Sequence, residues 1–484
     1  MNNWKGLRHL STAIACAGVI IACGGGSGEN GNTPVGGIDR SGIAVFGTIN
    51  NFGSVFVSGV EYETSATAIS IDGAPGIEDD LKIGQVVALA GTLNTDGVSG
   101  SALSIDFNDN VEGPVQNIDM TSESITILGQ TVVVDENTVF DEDLDTASLE
   151  GLNIDDIVEV SGFVNADGDI AATRIELQPA GGELELTGTA AAVDEAVMQF
   201  RIKGQIIDYS NASLNGFASG MPSNGDLVEA KGSSLGAGGE LLASSVDFMP
   251  RGVSADEGDN LEIEGFITRF VSPQDFDVAD VAATILPETT FEDGTEMDLA
   301  LNVRVEVEGE LGADGIVGAD QIKFKPKAVL RIEAPVDSVD VSTSSLEMLG
   351  ITATVNNETT FHDTGPSKLK EFGLKDIGSG DFLSVRGFEE PPAGSSILAT
   401  VVSRRNTTSR IKLKGFVESM NQPGFVILGV NVETDVDTEF ETETGPIDAD
   451  DFFAQANGGL VTVNGTLSGA AIVADSVTIE DDID

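Results

Sequence analysis

A chain of 484 residues is too long for one small all-β core, so several domains are expected. It carries 80 Asp and Glu against 24 Lys and Arg, a formal net charge of -56, which repels phosphate backbones and argues against nucleic acid as a partner. Hydrophobic residues make up 40% of the chain, enough to build cores, so it is not an acidic disordered polymer; 58 glycines and few aromatics favour β repeats with tight turns over helical bundles.

At the N-terminus, Lys5, Arg8 and His9 precede an apolar run from Ala13 to Ala22, the layout of a secretory signal peptide. The run is shorter than the roughly 20 residues that span a bilayer. It ends in Ile20-Ile21-Ala22-Cys23, followed by Gly24-Gly25-Gly26-Ser27-Gly28. This resembles the lipobox of bacterial lipoproteins, with Ile20 where leucine is usual. The resemblance implies cleavage after residue 22, a lipid anchor on Cys23 and a place in the bacterial cell envelope. Gly24, standing where an aspartate would signal inner-membrane retention, makes the outer membrane the expected address. Several acyl chains on one cysteine hold stably where a single chain holds marginally. Residues 23–41 read as a flexible tether. Cys16 falls in the removed segment, so no disulfide framework is expected in the body.

Beyond the tether the chain repeats itself. A strand-opening glycine recurs at Gly47, Gly113, Gly188, Gly265 and Gly415, with Ala334 in its place in the fifth copy. A second glycine closes an alternating apolar strand at Gly91, Gly162, Gly232, Gly309, Gly387 and Gly465. Between the two lies a hairpin signal, seen as Ser58-Gly59, Leu128-Gly129, Lys203-Gly204, Leu349-Gly350 and Leu428-Gly429. A Thr-x-Phe mark follows at Thr138 to Phe140, Thr289 to Phe291, Thr359 to Phe361 and Thr438 to Phe440, its phenylalanines read as core plugs. Last comes a strand through Ile105, Ile175, Val246, Ile322, Val401 or Val477. Pro366, Leu369, Phe372 and Gly373 predict a short helix in the fifth copy, and Ile447 to Ala456 predicts one in the sixth. The third copy, broken by Gly216, Gly220 and Pro222, predicts none.

The order strand, strand, strand, helix or loop, strand, strand is that of a small five-stranded Greek-key barrel. The expected fold class is therefore all-β: a tandem array of about six OB-like barrels, some with a short helix before the fourth strand. A small open sandwich per repeat is the alternative. The expected copies span 42–107, 111–177, 184–249, 261–325, 329–405 and 410–480. Short connectors between them, such as Asn108 to Asn110, predict an elongated rod of neighbouring barrels. With the G-x-hydrophobic start, Leu-Gly hairpin, Thr-x-Phe mark, V-x-V-x-G strand and terminal Ala-x-x-Ile in view, the copies resemble the DUF5666 domain. That resemblance implies a domain type found in tandem in bacterial secreted and lipoprotein chains, and carries no catalytic residue or substrate.

Chemistry-bearing motifs are scarce. His362, with Asp363 beside it, is the one histidine of the body; it reads first as an exposed polar residue at a strand end and second as a metal ligand or base. Asp141-Glu142-Asp143-Leu144-Asp145 and Asp448-Ala449-Asp450-Asp451 offer hard oxygen ligands but fit acidic helix starts equally well, leaving weak divalent-cation binding open. Arg404, Arg405, Arg410, Lys412 and Lys414 form the one basic cluster, expected to pair with acidic neighbours. No catalytic residue, no defined metal site and no cofactor is expected. The functional expectation is a non-catalytic envelope scaffold or binding/spacer array with an unknown partner. A small-ligand or Ca²⁺-binding protein is the alternative, and a carboxylate-based enzyme comes last.

Overall fold

The computed structural model describes residues 42–480, apart from 145, 253–254 and 391–395. The fold is all-β, and the α-helix among the described residues is Ala449–Gln455. The second copy shows the recurrent unit most plainly. Strand Val111–Asp119 pairs with Ser124–Ile127, which pairs with Gln130–Val133. Gln130–Val133 runs parallel to Ile170–Gln178, which pairs with Ile157–Val164, and that strand returns to Val111–Asp119. The circuit closes a barrel with the spatial order first, second, third, fifth, fourth. Alternation puts Val158 and Val160, both at 0% exposure, into the interior with Ile125, Ile127 and Ile175. Each such fully buried aliphatic side chain stabilises the fold by about 1.5–3 kcal/mol.

The same circuit closes in the first, third and fourth copies, through the pairing of Val60–Glu63, Gln205–Asp208 and Val281–Glu292 with the last strand of each. In the third sheet, strands Arg410–Asn421, Gly424–Ile427, Val430–Glu433, Ala471–Ile479 and Leu460–Ser468 pair in that order and return to the first. The remaining copy has its first strand interrupted at Val336 and Asp337, between Leu330–Pro335 and Ser338–Asp340. The sandwich alternative fails wherever the circuit closes.

Three sequence signals acquire physical causes here. At each second glycine the ladder is bulged, and an added Cβ would strike a backbone oxygen of the final strand, 2.3 Å away at Gly162 and 2.0 Å at Gly387. The opening glycine makes room for the hairpin tip: a Cβ on Gly113 would lie 2.9 Å from Leu128 Cγ. In the Thr-x-Phe mark, the hydroxyls of Thr138, Thr289, Thr359 and Thr438 donate to the carbonyls of Ala172, Ala319, Ala399 and Ala474 at 2.6–2.9 Å. The helix before the fourth strand is a single 3-10 turn in four copies, at Glu78–Asp80, Leu149–Gly151, Glu296–Asp298 and Leu374–Asp376. In the sixth copy it is an α-helix capped by Asp448, whose side chain accepts from the Asp451 amide. The helix predicted from Pro366 does not form. Lys368 takes a left-handed φ of 43°, which breaks the turn, and Phe372 is instead buried as a core plug beside Phe361.

The order of neighbours differs from the expected rod. Strand Gly42–Phe52 of the first copy pairs in parallel with Asn260–Ser272 of the fourth. The first strands of copies two and three pair with each other, and so do those of copies five and six. Ala44 consequently packs in the core of the fourth copy rather than its own. The outward positions of the first and fourth strands, which alternate with the core residues, lie between barrels. Glu185, Glu229, Glu262, Glu306 and Arg386 are each no more than 5% exposed. In the first copy the equivalent positions are Ala44, Phe46, Ala88 and Ala90. Phe46 meets Phe163 of the second copy edge-on, and Arg304 of the fourth lies 4.6 Å over the same ring.

Candidate functional site

Two features stand out among the contacts between barrels. The first is a cavity of about 150 Å³ lined by the first, second, fourth and fifth copies, including Asn50, Thr173, Arg304, Lys325, Glu358 and Thr400. Asn50 donates to Thr360 Oγ1 at 3.2 Å, and Thr400 donates to Asn137 Oδ1 at 2.7 Å. Asn50 Oδ1, Thr48 Oγ1 and Arg304 Nε have no hydrogen-bond partner in the protein. A space of this size, with these unpartnered polar atoms in its wall, accommodates several water molecules.

The second feature is a cluster of carboxylates where copies one, two and three meet. Asp72 reaches it from an Asp72-Gly73 hairpin in the first copy; both residues have positive φ, the geometry of a type I′ turn. Asp109 comes from the connector between copies one and two. Glu112 and Glu159 lie opposite each other on the first and fourth strands of copy two, and Glu185 pairs with Glu112 from copy three. One oxygen each of Asp72, Asp109 and Glu185 lie within 4.8 Å of one another, as do those of Asp109, Glu112 and Glu159. Asp109 is 2% exposed and is common to both groups. Lys231 Nζ is 2.7 Å from Glu185 Oε1 and 3.3 Å from Glu229 Oε2, and it donates to the Asp72 carbonyl at 3.1 Å. Glu159 accepts from Gln178 Nε2 at 2.7 Å.

This crowding resists ionisation. Burial first, and then the Asp72 charge, push Glu112 up to about 7; burial and the charge of Glu176 push Glu159 up to about 8. Burial and Glu185 push Asp109 well above the carboxylate range.

The residues singled out from sequence fall elsewhere. His362 is not exposed. At 8% exposure it is packed between barrels with Nε2 3.6 Å from Glu142 Oε2 of copy two, and burial lowers its pKa, favouring the neutral ring. Asp363 turns away from it to Arg404, whose Nε donates at 3.0 Å. Asp141 accepts from the amides of Asp143 and Leu177, so its oxygens serve the local backbone. Asp448 is the helix cap already described. Of the basic cluster, Arg404 pairs with Asp363, Arg410 with Asp475, and Lys414 with Glu136 and Glu480, whereas Arg405 Nε is buried without a hydrogen-bond partner. Cys23, the 1–22 segment, the 23–41 tether and Asp145 lie outside the described residues.

Sequence reading missed Asp72, Asp109, Glu112, Glu159 and Glu185. The available signal was the pair of outward carboxylates flanking the first and fourth strands of one copy, Glu112 and Glu159, combined with an Asp-Gly turn in the preceding copy. Which barrel faces which was not written in that pattern.

The class of protein is thus a tandem set of small β-barrel domains with charged side chains buried between them. A family model described as Domain of unknown function (DUF5666) matches residues 112–176, 264–323, 333–403 and 414–478, together more than half the chain. The chain belongs to the DUF5666 family. Copies one and three lie outside the matched regions yet close the same strand circuit. No curated protein matches the chain.

Proposed function

We propose that the chain is a lipoprotein of the bacterial cell envelope, anchored at Cys23 in the outer membrane, whose body of six OB-like barrels is a non-catalytic scaffold. The observation that carries this reading is where the copies differ. Glu185, Glu229, Glu262, Glu306 and Arg386 occupy matching outward positions and are spent on barrel–barrel contacts. Six independent binding modules would keep those faces for ligands, whereas a preassembled block consumes them.

Support for six barrels comes from the repeated first-second-third-fifth-fourth pairing order, with the fifth copy closed through its interrupted first strand by the bond from the Asp337 amide to the Glu347 carbonyl. Partners then bind the outer rims of the block. Its net charge keeps it soluble and repels nucleic acid. Within this reading a scaffold is favoured over an extended spacer, because strands pair out of chain order.

The test is fractionation of cells expressing the wild type and Cys23→Ala. The wild type is expected in the outer-membrane fraction and the variant in the soluble fraction; a variant that stays with the membrane overturns the anchor. Crosslinking of the wild type in the intact envelope, read by mass spectrometry, then identifies what the scaffold holds.

A further inference from the structure

We propose that the carboxylate cluster where copies one, two and three meet is a Ca²⁺ site centred on Asp109, with ligand oxygens from Asp72, Glu112, Glu159 and Glu185. A cluster of acids alone would not carry this. The second observation is Asp109 itself: it is 98% removed from solvent, its Oδ1 has no hydrogen-bond partner, and its carboxylate faces both groups of convergent oxygens. An ionised, unpartnered, buried carboxylate costs several kcal/mol unless it is protonated or meets a cation. Among the described residues, Lys231 supplies the only cationic side-chain nitrogen within 4 Å of Asp72, Asp109, Glu112, Glu159, Glu185 or Glu229, and it is held by Glu185 and Glu229; Glu159 has only the neutral Gln178 amide as a side-chain donor. The oxygens nearer Asp109 are left without a positive partner.

The geometry selects the ion. Oxygens bound to one Ca²⁺ at about 2.3–2.6 Å lie within roughly 5 Å of each other, which is the spacing of both groups. All donors are hard carboxylates, with no histidine or thiol among them, so calcium is favoured over zinc or copper. The donors come from one hairpin turn, a connector and three strands of two copies rather than from one rigid octahedral frame, which suits the adaptable coordination of Ca²⁺ better than that of Mg²⁺. Asp72, Glu112 and Glu159 are only partly buried, which leaves an entry path. The ion would cross-link three barrels contributed by separate segments of the chain. The site is independent of the lipid anchor: its test fails or succeeds whether or not Cys23 is acylated.

The experiment compares thermal unfolding of the full chain at pH 7.5 in excess chelator, in about 1 mM free Ca²⁺ and in NaCl of equal ionic strength, with calorimetric titration of CaCl₂ for stoichiometry. Ca²⁺ is expected to raise the unfolding temperature by about 2 °C or more beyond NaCl, with one equivalent bound. Asp109→Asn is expected to melt higher than wild type in chelator, because no carboxylate then has to be protonated or desolvated on folding, and to lose the Ca²⁺-specific rise. That opposition of signs separates a metal site from a structural residue. Glu159→Gln, at the more exposed edge, should weaken Ca²⁺ binding at least tenfold and serves if Asp109→Asn does not fold. The proposal is overturned if Ca²⁺ acts no differently from NaCl, or if Asp109→Asn or Glu159→Gln keeps the full rise.

Discussion

The hydroxyl of Thr138 donates a 2.8 Å hydrogen bond to the carbonyl of Ala172, and the threonine is fully shielded from solvent. The same oxygen accepts from the Asp135 amide at 3.1 Å. One side chain thus ties the loop after the third strand to the bulge in the last strand. Thr138→Val keeps the shape and removes both bonds. It is expected to cost about 1–3 kcal/mol, because the Ala172 carbonyl stays buried without its donor. Thermal melting of the variant against wild type, with Thr138→Ser recovering most of the loss, checks this.

Gly162 tests the bulge from the other side. An alanine Cβ there would sit 2.3 Å from the Ala171 carbonyl oxygen, so one strand must shift, at an expected cost of about 1–3 kcal/mol or more. Gly373→Ala is the control. Its Cβ meets nothing within 4 Å and its φ of -159° suits any residue, so stability should stay within about 0.5 kcal/mol of wild type.

Arg386 joins copies five and two. Its Nη1 donates to the Thr138 carbonyl at 2.9 Å and its Nη2 to Ser403 Oγ at 3.3 Å, with the residue 4% exposed. Arg386→Met should cost about 1–3 kcal/mol through the orphaned carbonyl. Limited proteolysis should then cut at the contact between these copies first. A variant as resistant as wild type would show that the guanidinium is dispensable.

Acidity should stabilise another junction. Burial, then Glu306 and Glu308, raise Glu262 well above its ordinary 4.5, and burial pushes Glu306 up to about 7 although Lys325 opposes the shift. Tyr62, Glu264, Glu308, Lys325 and Glu358 are the other charged or titratable groups acting on this pair. Folded-state pKa values above the unfolded ones mean that the folded chain holds more protons between pH 4.5 and about 7. Stability from these groups is therefore fully present at the acidic end and lost as pH rises through that window. Glu262→Gln should flatten the decline and leave the protein more stable than wild type at pH 8 and near wild type at pH 5. Melting curves at the two pH values decide it.

Much of each barrel was legible in the chain, because its signals are local. Gly162 is demanded by a backbone oxygen of the adjacent strand, Leu128 and Gly129 by the turn, and Phe140 by the core; each leaves a periodic mark. The helix predicted after Pro366 is lost to a left-handed Lys368, a conformation that carries no sequence signature. The candidate site was illegible for a different reason. Glu159 alternates with Val158 and Val160 as any solvent-facing residue would, and only the docking of a second barrel turns that face inward. His362 stands at a strand end, a place that predicts exposure, and it too is covered by a neighbouring barrel. Period-2 patterning reports which face avoids a barrel's own core, not whether water or another barrel lies beyond it.

Because Ile43 aligns with Asn260, the first barrel must wait for its lateral neighbour while ~200 further residues are made. At about 5–20 residues per second, that wait is roughly 10–40 s. Throughout it, Ala44 lacks the fourth-barrel core in which it ends up, and the fourth barrel cannot be trimmed away without stranding it. The N-terminal barrel is in this sense a client of the chain that follows it.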